Sequence, residues 1–554
     1  MRAFLVPALA LALLGSATPS VAQTRPADIV LVNGKIVTVD DRFTIAEALA
    51  IRDQRIVAVG SNAEIEKLKG PQTRTIALGG RTVIPGLIDN HSHWIRAAEH
   101  NELRFDGVTT RKRAIALLTE RVRTAKPGEW IAVLGGWSEQ QFTDEERGFP
   151  RAELDTIAPN NPVVLQSVYN HSFLNSAGLR AANIDESTAD PPGGQIEKND
   201  AGRLTGLVRG AGGVAFVAAK VPLSDQETWF ANTRRLVSYL NSIGITGWSD
   251  LGGRGMSARH YEPYRRLADA GDLNVRVFWL TIRQPATPEQ MDKVLAEVPQ
   301  TVPFQGNDYF DHIGWGESTY GPATTNTMRA DGPMDPAAMA QVGRLAEALA
   351  RQGLHLNAHV EMQTAIDAYL EQYEAVNKTR PIRGLRWVFS HLDQVTDAQI
   401  ARMKRLGMSA QLHSRPLIQG ALMHKIHGDK AWDMPPFRRV QDSGIHWGLG
   451  SDATAVTPSN PFYTLSFAVT GKMIGGRHVN RQTITREEAL IAHTRSNAYF
   501  LFQESNVGSL ARGKYADLLV LDRDYLTVPE DEIKDIKPLI TMVGGKIVHD
   551  AVPK

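Results

Sequence analysis

The chain has 554 residues, 42% of them hydrophobic and 22% charged, an ordinary globular composition that predicts one large core, one smaller core and hence two domains. The formal net charge is +1, with no long run of one sign, which argues against a nucleic-acid or membrane-surface binding protein and favours a small, nearly neutral substrate. The absence of cysteine excludes disulfides, thiolate metal ligands and a cysteine nucleophile.

The first 22 residues predict a signal peptide. Met1-Arg2-Ala3-Phe4-Leu5 leads into an apolar run that ends near Gly15, and Ser20-Val21-Ala22 supplies the small residues that a signal peptidase prefers. A membrane anchor is the alternative, but the run is shorter than the roughly 20 residues that span a bilayer. We therefore expect a periplasmic or secreted chain with no membrane span after cleavage. The oligomeric state is open, and a homo-oligomer is one option.

Both chain ends predict short β-structure. Residues 28–39 are mostly apolar around Asn33-Gly34, a dipeptide that favours a tight type I′ hairpin turn. Near the other end, residues 543–548 repeat the pattern of residues 32–37. We predict that residues 23–84 and 496–554 pair into one small β-sandwich. Two unrelated hairpins are the alternative.

The centre of the chain alternates short apolar runs with longer stretches of helical period, which is typical of parallel βα units. Eight runs are candidate strands: 83–89, 243–249, 275–280, 312–316, 354–358, 386–390, 408–412 and 447–450. They predict an α/β fold with a (β/α)₈ TIM-like barrel over residues 85–495. Residues from about 100 to 240 form an insert between the first two runs. We expect this insert to cap the mouth of the barrel.

Polar residues that can bind a metal follow several of these predicted strands. His91 and His93 come directly after the first run, and residues two apart in a strand project to the same side. His359, His391 and Asp452 follow the fifth, sixth and eighth runs. Because the carboxyl ends of all barrel strands share one face, we expect the four histidines and the aspartate to converge. A core or surface position is the alternative for any one of these histidines taken alone.

Two sequence motifs resemble the amidohydrolase superfamily: residues 84–93, which read IPGLIDNHSH, and residues 450–453, which read GSDA. Three further segments resemble its large family 3 branch, which includes the N-substituted formamide deformylases and the YtcJ-like proteins. They are residues 171–176, 190–194 and 460–462. The resemblance covers nearly the whole mature chain. Its motifs are specific for the fold and the metal site, but they do not identify a substrate.

The resemblance implies a metal-dependent hydrolase with one or two divalent ions, commonly zinc. The metal ligands carried over by motif are His91, His93, His359, His391 and Asp452. Many members of the superfamily also use a carboxylated lysine on the fourth strand, but this chain has no lysine between Lys293 and Lys378. Glu317 stands where a fourth-strand ligand is expected and could offer a bridging carboxylate. The alternative for Glu317 is a supporting acid or a loop residue.

The predicted reaction is hydrolysis of a C–N bond of the amide type in a small organic substrate, other than a peptide bond. Bound Zn²⁺ lowers the pKa of a coordinated water and polarises a carbonyl, and Asp452 would act as general base and then general acid. His171 resembles a polar position of the family's insert and could donate a hydrogen bond to an oxyanion. A structural role in the cap is the alternative for His171.

Three points of function stay open in the sequence. Ester hydrolysis, decarboxylation or deamination could occur on the same scaffold, and a binding protein without turnover is a further alternative. Arg415 could mark a substrate carboxylate. Five tryptophans in the insert or beside predicted strand ends could line an aromatic substrate pocket or could simply be packed: Trp94, Trp137, Trp248, Trp315 and Trp447.

Overall fold

A computed structural model describes residues 25–100, 102–252 and 258–553. The predicted signal peptide, residues 1–22, lies outside this described part. Its cleavage therefore stays a prediction, which the N-terminal residue of the purified protein would test. Within the described ranges, no helix is both long enough and apolar enough to cross a membrane.

The centre of the molecule is a TIM-barrel-type fold of mixed α and β content. Its eight barrel strands, first to eighth in chain order, are Leu87–Ser92, Ile245–Asp250, Arg276–Thr281, Phe310–Trp315, Asn357–Val360, Val388–His391, Ser409–His413 and Trp447–Gly450. The first four form one parallel sheet and the last four another. Parallel bridges between Trp315 and Leu356, and between Ser92 and Ala453, connect the two sheets at both edges.

The first predicted strand proves to be two strands. Thr82–Pro85 pairs with the end of the chain, whereas Leu87–Ser92 pairs with the second barrel strand. Gly86 lies between them, and a Cβ at this position would stand 2.2 Å from Oγ1 of Thr246. The continuous apolar run in the sequence conceals this break, because both strands are buried on both faces.

Several helices on the outside of the barrel bury an apolar stripe. The helix Pro336–Arg351 begins after the N-cap Asp335, whose side chain accepts a hydrogen bond from the amide of Ala337. It buries Val342, Leu345 and Leu349 at helical spacing. The helices from the second barrel strand onward are Glu262–Asp269, Pro288–Glu297, Pro336–Arg351, Gln363–Thr379, Asp397–Leu406, Pro416–His427, Phe437–Asp442, Pro461–Thr470, Arg486–Ala492 and Arg495–Phe500.

The segment between the first two barrel strands contains a separate five-stranded sheet. In spatial order its strands are Gln195–Lys198, Leu204–Arg209, His171–Leu174, Val163–Ser167 and Ile131–Leu134. The accompanying helices are Arg111–Thr124, Arg151–Ile157, Ser176–Ala181, Gly210–Ala218 and Gln226–Ser242. An aromatic cluster that includes Phe105, Trp137 and Phe149 fills its core. The Cβ that a side chain would add at Gly135 would lie 2.5 Å from the carbonyl oxygen of Ala455, so the insert lies against the loop after the eighth barrel strand.

Strands from both chain ends build two further sheets. One contains, in spatial order, Arg55–Gly60, Ala48–Arg52, Ile29–Val32 and Arg74–Ala77, and the short helix Asn62–Glu66 packs beside it. The other contains Lys546–Asp550, Pro538–Val543, Leu518–Leu521, Thr82–Pro85, Lys35–Val37 and Ile45–Ala46. The two sheets share a core in which Leu31 and Leu49 meet Leu518. A buried ion pair between Arg276 and Asp517, 2.7 Å long, ties this part to the third barrel strand.

Candidate metal centre

The carboxyl ends of the barrel strands bring six predicted ligands into one cluster. His91 lies near the end of the first barrel strand, and His93 follows it by two residues. Four more come from or just after the fourth, fifth, sixth and eighth barrel strands: Glu317, His359, His391 and Asp452. The side chain of His91 is fully buried, and that of His359, at 15%, is the most exposed of the six.

Asp89 holds the two ends of this cluster together. Its carboxylate accepts hydrogen bonds from the backbone amide of His91 at 3.0 Å and from that of Ser451 at 3.2 Å. These bonds pin the end of the first barrel strand to the end of the eighth, at a distance of about 360 residues in sequence. Burial raises the pKa of Asp89 to about 7.

The carboxylate of Glu317 lies in the middle of the histidines. Its Oε2 is 3.1 Å from Nδ1 of His359, 3.3 Å from Nε2 of His91 and 3.5 Å from Nε2 of His391. Its Oε1 is 3.6 Å from Nε2 of His93. Burial alone would raise the pKa of Glu317, but the surrounding imidazoles, His359 first, lower it well below its usual value. Glu317 is therefore an ionised carboxylate with one oxygen toward each side of the cluster.

Asp452 presents its two oxygens to different neighbours. Oδ1 lies 3.2 Å from Nε2 of His93 and 3.7 Å from Nε2 of His91. Oδ2 lies 3.1 Å from Nη2 of Arg415. Burial opposes ionisation of Asp452, but His93, His91 and Arg415 are among the groups that lower its pKa below the usual range. Asp452 thus keeps one oxygen directed at the histidine pair.

The six side chains separate into two groups of three, each with the donor set of a metal site. His91, His93 and Asp452 form one group, and Glu317, His359 and His391 form the other; within each group the ligand atoms lie within 4.8 Å of one another. Imidazole nitrogens and carboxylate oxygens are the ligands that Zn²⁺ takes in proteins that lack thiolates.

Several buried ring nitrogens in this cluster have no hydrogen-bond partner, which fits a role as metal ligands. They include both ring nitrogens of His91 and Nδ1 of His93. Burial lowers the pKa of His91, and it lowers that of His391 to about 3. Both imidazoles are therefore neutral, which is the form that binds metal. The residues present fit a divalent ion in either group.

Glu361 and Arg415 extend the cluster beyond the predicted ligands. The side chain of Glu361 is 1% exposed, and its Oε1 lies 2.6 Å from Nη1 of Arg415 and 3.4 Å from Nε2 of His359. Arg415 is thus paired with both Glu361 and Asp452, and its recognition of a substrate carboxylate stays a prediction. The sequence offered one signal for Glu361, its position two residues after His359.

His413, at the end of the seventh barrel strand, is a further buried histidine of this cluster. Its Nδ1 lies 3.0 Å from Nδ1 of His391, and its ring centroid lies 4.1 Å from that of His91. The three imidazoles form a third group with the spacing of metal ligands. Burial keeps the pKa of His413 well below its usual value, so its imidazole is neutral.

His171 lies in the insert sheet rather than in the cluster. Its Nε2 is 2.6 Å from Oε1 of Glu139, which also accepts a hydrogen bond from the hydroxyl of Ser167 through Oε2. Among the described residues, no hydrogen bond or ion pair joins His171 to the six clustered side chains. The five tryptophans are all buried in apolar cores: Trp94, Trp137, Trp248, Trp315 and Trp447. The structure thus supports the packed alternative for them.

Comparisons with known proteins connect this chain to hydrolases. A family model described as "Amidohydrolase family" matches residues 74–549. The chain is 26% identical to an N-substituted formamide deformylase from Arthrobacter pascens, over 95% of this chain and 99% of that protein. It is 25% identical to YtcJ from Bacillus subtilis (strain 168), over 93% and 98%. An uncharacterized metal-dependent hydrolase from Pyrococcus horikoshii has the same fold, with a TM-score of 0.64, 21% identity and coverage of 91% and 99%.

Proposed function

The chain belongs to the amidohydrolase family, and from this premise we propose that it hydrolyses a C–N bond of a small organic substrate in a metal-dependent reaction. The observation that carries the proposal is the pair of ligand groups at one end of the barrel strands, with the carboxylate of Glu317, a member of the second group, also 3.3 Å from His91 and 3.6 Å from His93. Two separate groups of three ligands support a site for one or two divalent ions, with zinc as the first candidate.

The residues of the cluster would have different roles in the reaction. A divalent ion bound here would supply an activated water and polarise the scissile carbonyl. His91 and His93 would hold it on one side, and His359 and His391 on the other. Glu317, whose two oxygens face different histidines, would serve as the shared carboxylate. Glu317 would thus take the place of the carboxylated lysine that many members of the superfamily have on the fourth strand, because this chain has no lysine between Lys293 and Lys378.

Asp452 would move the proton. Its Oδ1 faces the histidine pair, and its low pKa keeps it ionised at neutral pH, so it can accept a proton from the attacking water. The same atom would then return this proton to the leaving amine, which balances the two steps. The bond from Arg415 to Oδ2 holds the carboxylate in this orientation.

The substrate class follows from the family and from the site. The formamide deformylase that resembles this chain acts, by its name, on N-substituted formamides, and we propose a neutral amide, formamide, cyclic imide or carbamate as the substrate here. A net charge near zero and the engagement of Arg415 by two acids favour a substrate without a carboxylate. Ester hydrolysis on the same site is the second outcome that the test below distinguishes.

The test is hydrolysis of a matched panel before and after metal removal. N-formyl and N-acetyl arylamines are compared with the corresponding aryl esters, using protein as purified, chelator-treated protein and protein reloaded with zinc or manganese. We expect amide cleavage that disappears with the metal and returns on reloading. Zinc should bind with release of protons, because carboxylates hold the pKa of His93 and of His359 at about 10 despite their burial.

Each possible result of this panel leads to a different conclusion about function. Cleavage of esters alone would replace the amidase proposal with an esterase. Tight metal binding without turnover of any member would favour a ligand-binding protein. Protein that holds no metal, and stays inert after zinc or manganese is added, would contradict the proposed site itself.

His171 is proposed to contact the substrate from the insert. Its Nε2 is held by Glu139, so Nδ1 is the atom left for a substrate oxygen, and it can donate only when both ring nitrogens carry a proton. Replacing an oxyanion donor typically lowers kcat by about 10²–10³, and this is the loss we expect for His171→Ala, with zinc content unchanged. Arg209→Ala, a change on a neighbouring insert strand, is the control. An unchanged kcat in His171→Ala would leave His171 with a structural role only.

A further inference from the structure

Two buried residues connect the two predicted ligand groups. Glu361 follows the fifth barrel strand by one residue, and Arg415 follows the seventh by two. Through them, contacts run from His359 to Glu361, from Glu361 to Arg415 and from Arg415 to Asp452, over distances of 3.4, 2.6 and 3.1 Å. We call Glu361 and Arg415 the connecting pair.

At one end of this series of contacts, Glu361 lies against the ring of His359. Its Nδ1 faces the carboxylate of Glu317 and its Nε2 faces that of Glu361. When one nitrogen of an imidazole binds a metal ion, the other carries the proton and can only donate. The carboxylate of Glu361, 3.4 Å from Nε2, would accept this hydrogen bond and so select Nδ1 of His359 as the atom that binds the metal.

At the other end of the series, Arg415 lies against the carboxylate of Asp452. Arg415 donates to Oδ2 of Asp452 and, with its other terminal nitrogen, to Oε1 of Glu361. A guanidinium is planar and stays protonated, so its donors point in fixed directions. The contact therefore occupies Oδ2 and leaves Oδ1 as the oxygen that faces His93.

Stability alone does not account for an ion pair at this place. Replacing a buried pair with apolar residues is often neutral or stabilising, because desolvation costs as much as the attraction returns. The connecting pair is one of the most deeply buried ion pairs of the described residues, and both of its partners touch a predicted ligand. Its position is explained if it orients those ligands.

We propose that Glu361 and Arg415 are positioning residues that fix the ligand atoms of His359 and Asp452 in one common arrangement. Glu361 determines which nitrogen of His359 carries the proton, and Arg415 determines which oxygen of Asp452 faces the histidines. Because Glu361 and Arg415 are bonded to each other, a change in one affects both ligands. The inference rests on the proposed metal site, but it does not depend on which bond the protein cleaves.

The test measures zinc affinity by competition with a chelator, on full-length protein. We expect Glu361→Ala and Arg415→Lys each to weaken zinc binding by about 10- to 100-fold, the usual cost of losing a partner of a metal ligand. Glu361→Gln keeps an acceptor for the Nε2 hydrogen of His359 and should recover part of the loss. The double variant should lose less than the product of the two single losses, because the two changes act on one connection.

Cobalt substitution supplies a second readout. The visible absorption of bound Co²⁺ depends on its ligand geometry, so it should change in Glu361→Ala and in Arg415→Lys even at saturating cobalt. Where the alanine variant fails to fold, Glu361→Gln and Arg415→Lys carry the test. In a variant active on any panel substrate, kcat should fall more than KM rises.

A matched control lies in the buried pair of Arg276 and Asp517, which is remote from the ligands. Arg276→Lys makes the same chemical change in a buried ion pair and should lower thermal stability while zinc affinity stays at the wild-type value. Wild-type zinc affinity and cobalt spectra in folded Glu361→Ala and Arg415→Lys would overturn the proposal. So would an equal loss of zinc affinity in Arg276→Lys. Zinc binding without hydrolysis in the wild type would instead contradict only the proposed function.

Discussion

His91→Ala combined with His93→Ala should abolish metal binding to its group and reduce kcat/KM by at least about 10³, since a catalytic ion contributes several kcal/mol to the stabilisation of the transition state. Both side chains are buried and belong to the group that contains Asp452. The measurements are metal content by mass spectrometry and hydrolysis of the best panel substrate. If two ions are bound in the wild type, the variant should lose one or both equivalents together with its activity.

A histidine outside the cluster provides the control for this double variant. His478 is exposed and lies against Trp432, so His478→Ala should keep the metal content and the rate of the wild type. Full metal content in the double variant would contradict the assignment of His91 and His93 as ligands. Normal activity after loss of the metal would contradict a metal-dependent reaction.

Asp452→Asn should lower kcat by about 10²–10⁴, the range that general acid and base catalysis contributes. The amide has nearly the same shape and can still meet Arg415, but it cannot take a proton from water. Because Asp452 also belongs to a ligand group, rates are measured at saturating zinc, with bound metal counted in the same sample. The predicted loss should persist when the metal content equals that of the wild type.

Two results would revise the role of Asp452. Retention of most of the rate at full metal content would mean that another acid carries the proton. Recovery of the rate by added zinc alone would mean that Asp452 serves only as a ligand. Asp393, a buried carboxylate near the connecting pair whose pKa is raised by burial to about 6, offers the matched comparison. Asp393→Asn should cost much less than Asp452→Asn.

The sequence was sufficient to locate the barrel strands and several of the side chains that cluster at their ends. Each of the eight predicted strands overlaps a barrel strand, because apolar runs buried on both faces are a strong local signal. His91, His359, His391 and Asp452 could be found because each stands at the end of such a run. The family resemblance, which the family match confirms, then gave these positions a common purpose.

Contacts between distant segments were beyond the reach of the same reasoning. Glu361 and Arg415 are 54 residues apart, and no periodic pattern relates them. The sequence suggested only that Arg415 could recognise a substrate carboxylate, because a lone arginine at a strand end shows nothing of its partners. The break at Gly86 was hidden for the same reason, since it depends on the close approach of Thr246 from another strand.

The span of the ligand set has a consequence for how the enzyme is made. Its first predicted ligand is His91 and its last is Asp452, and Asp89 joins the ends of their strands only when the eighth strand is in place. A growing chain that has reached the middle of the barrel therefore holds neither complete group of three ligands. We expect the group of His91, His93 and Asp452 to bind metal only after the eighth strand has joined the barrel, in whichever compartment the barrel closes. The supply of zinc in that compartment, rather than at the ribosome, would then determine how much of the protein becomes active.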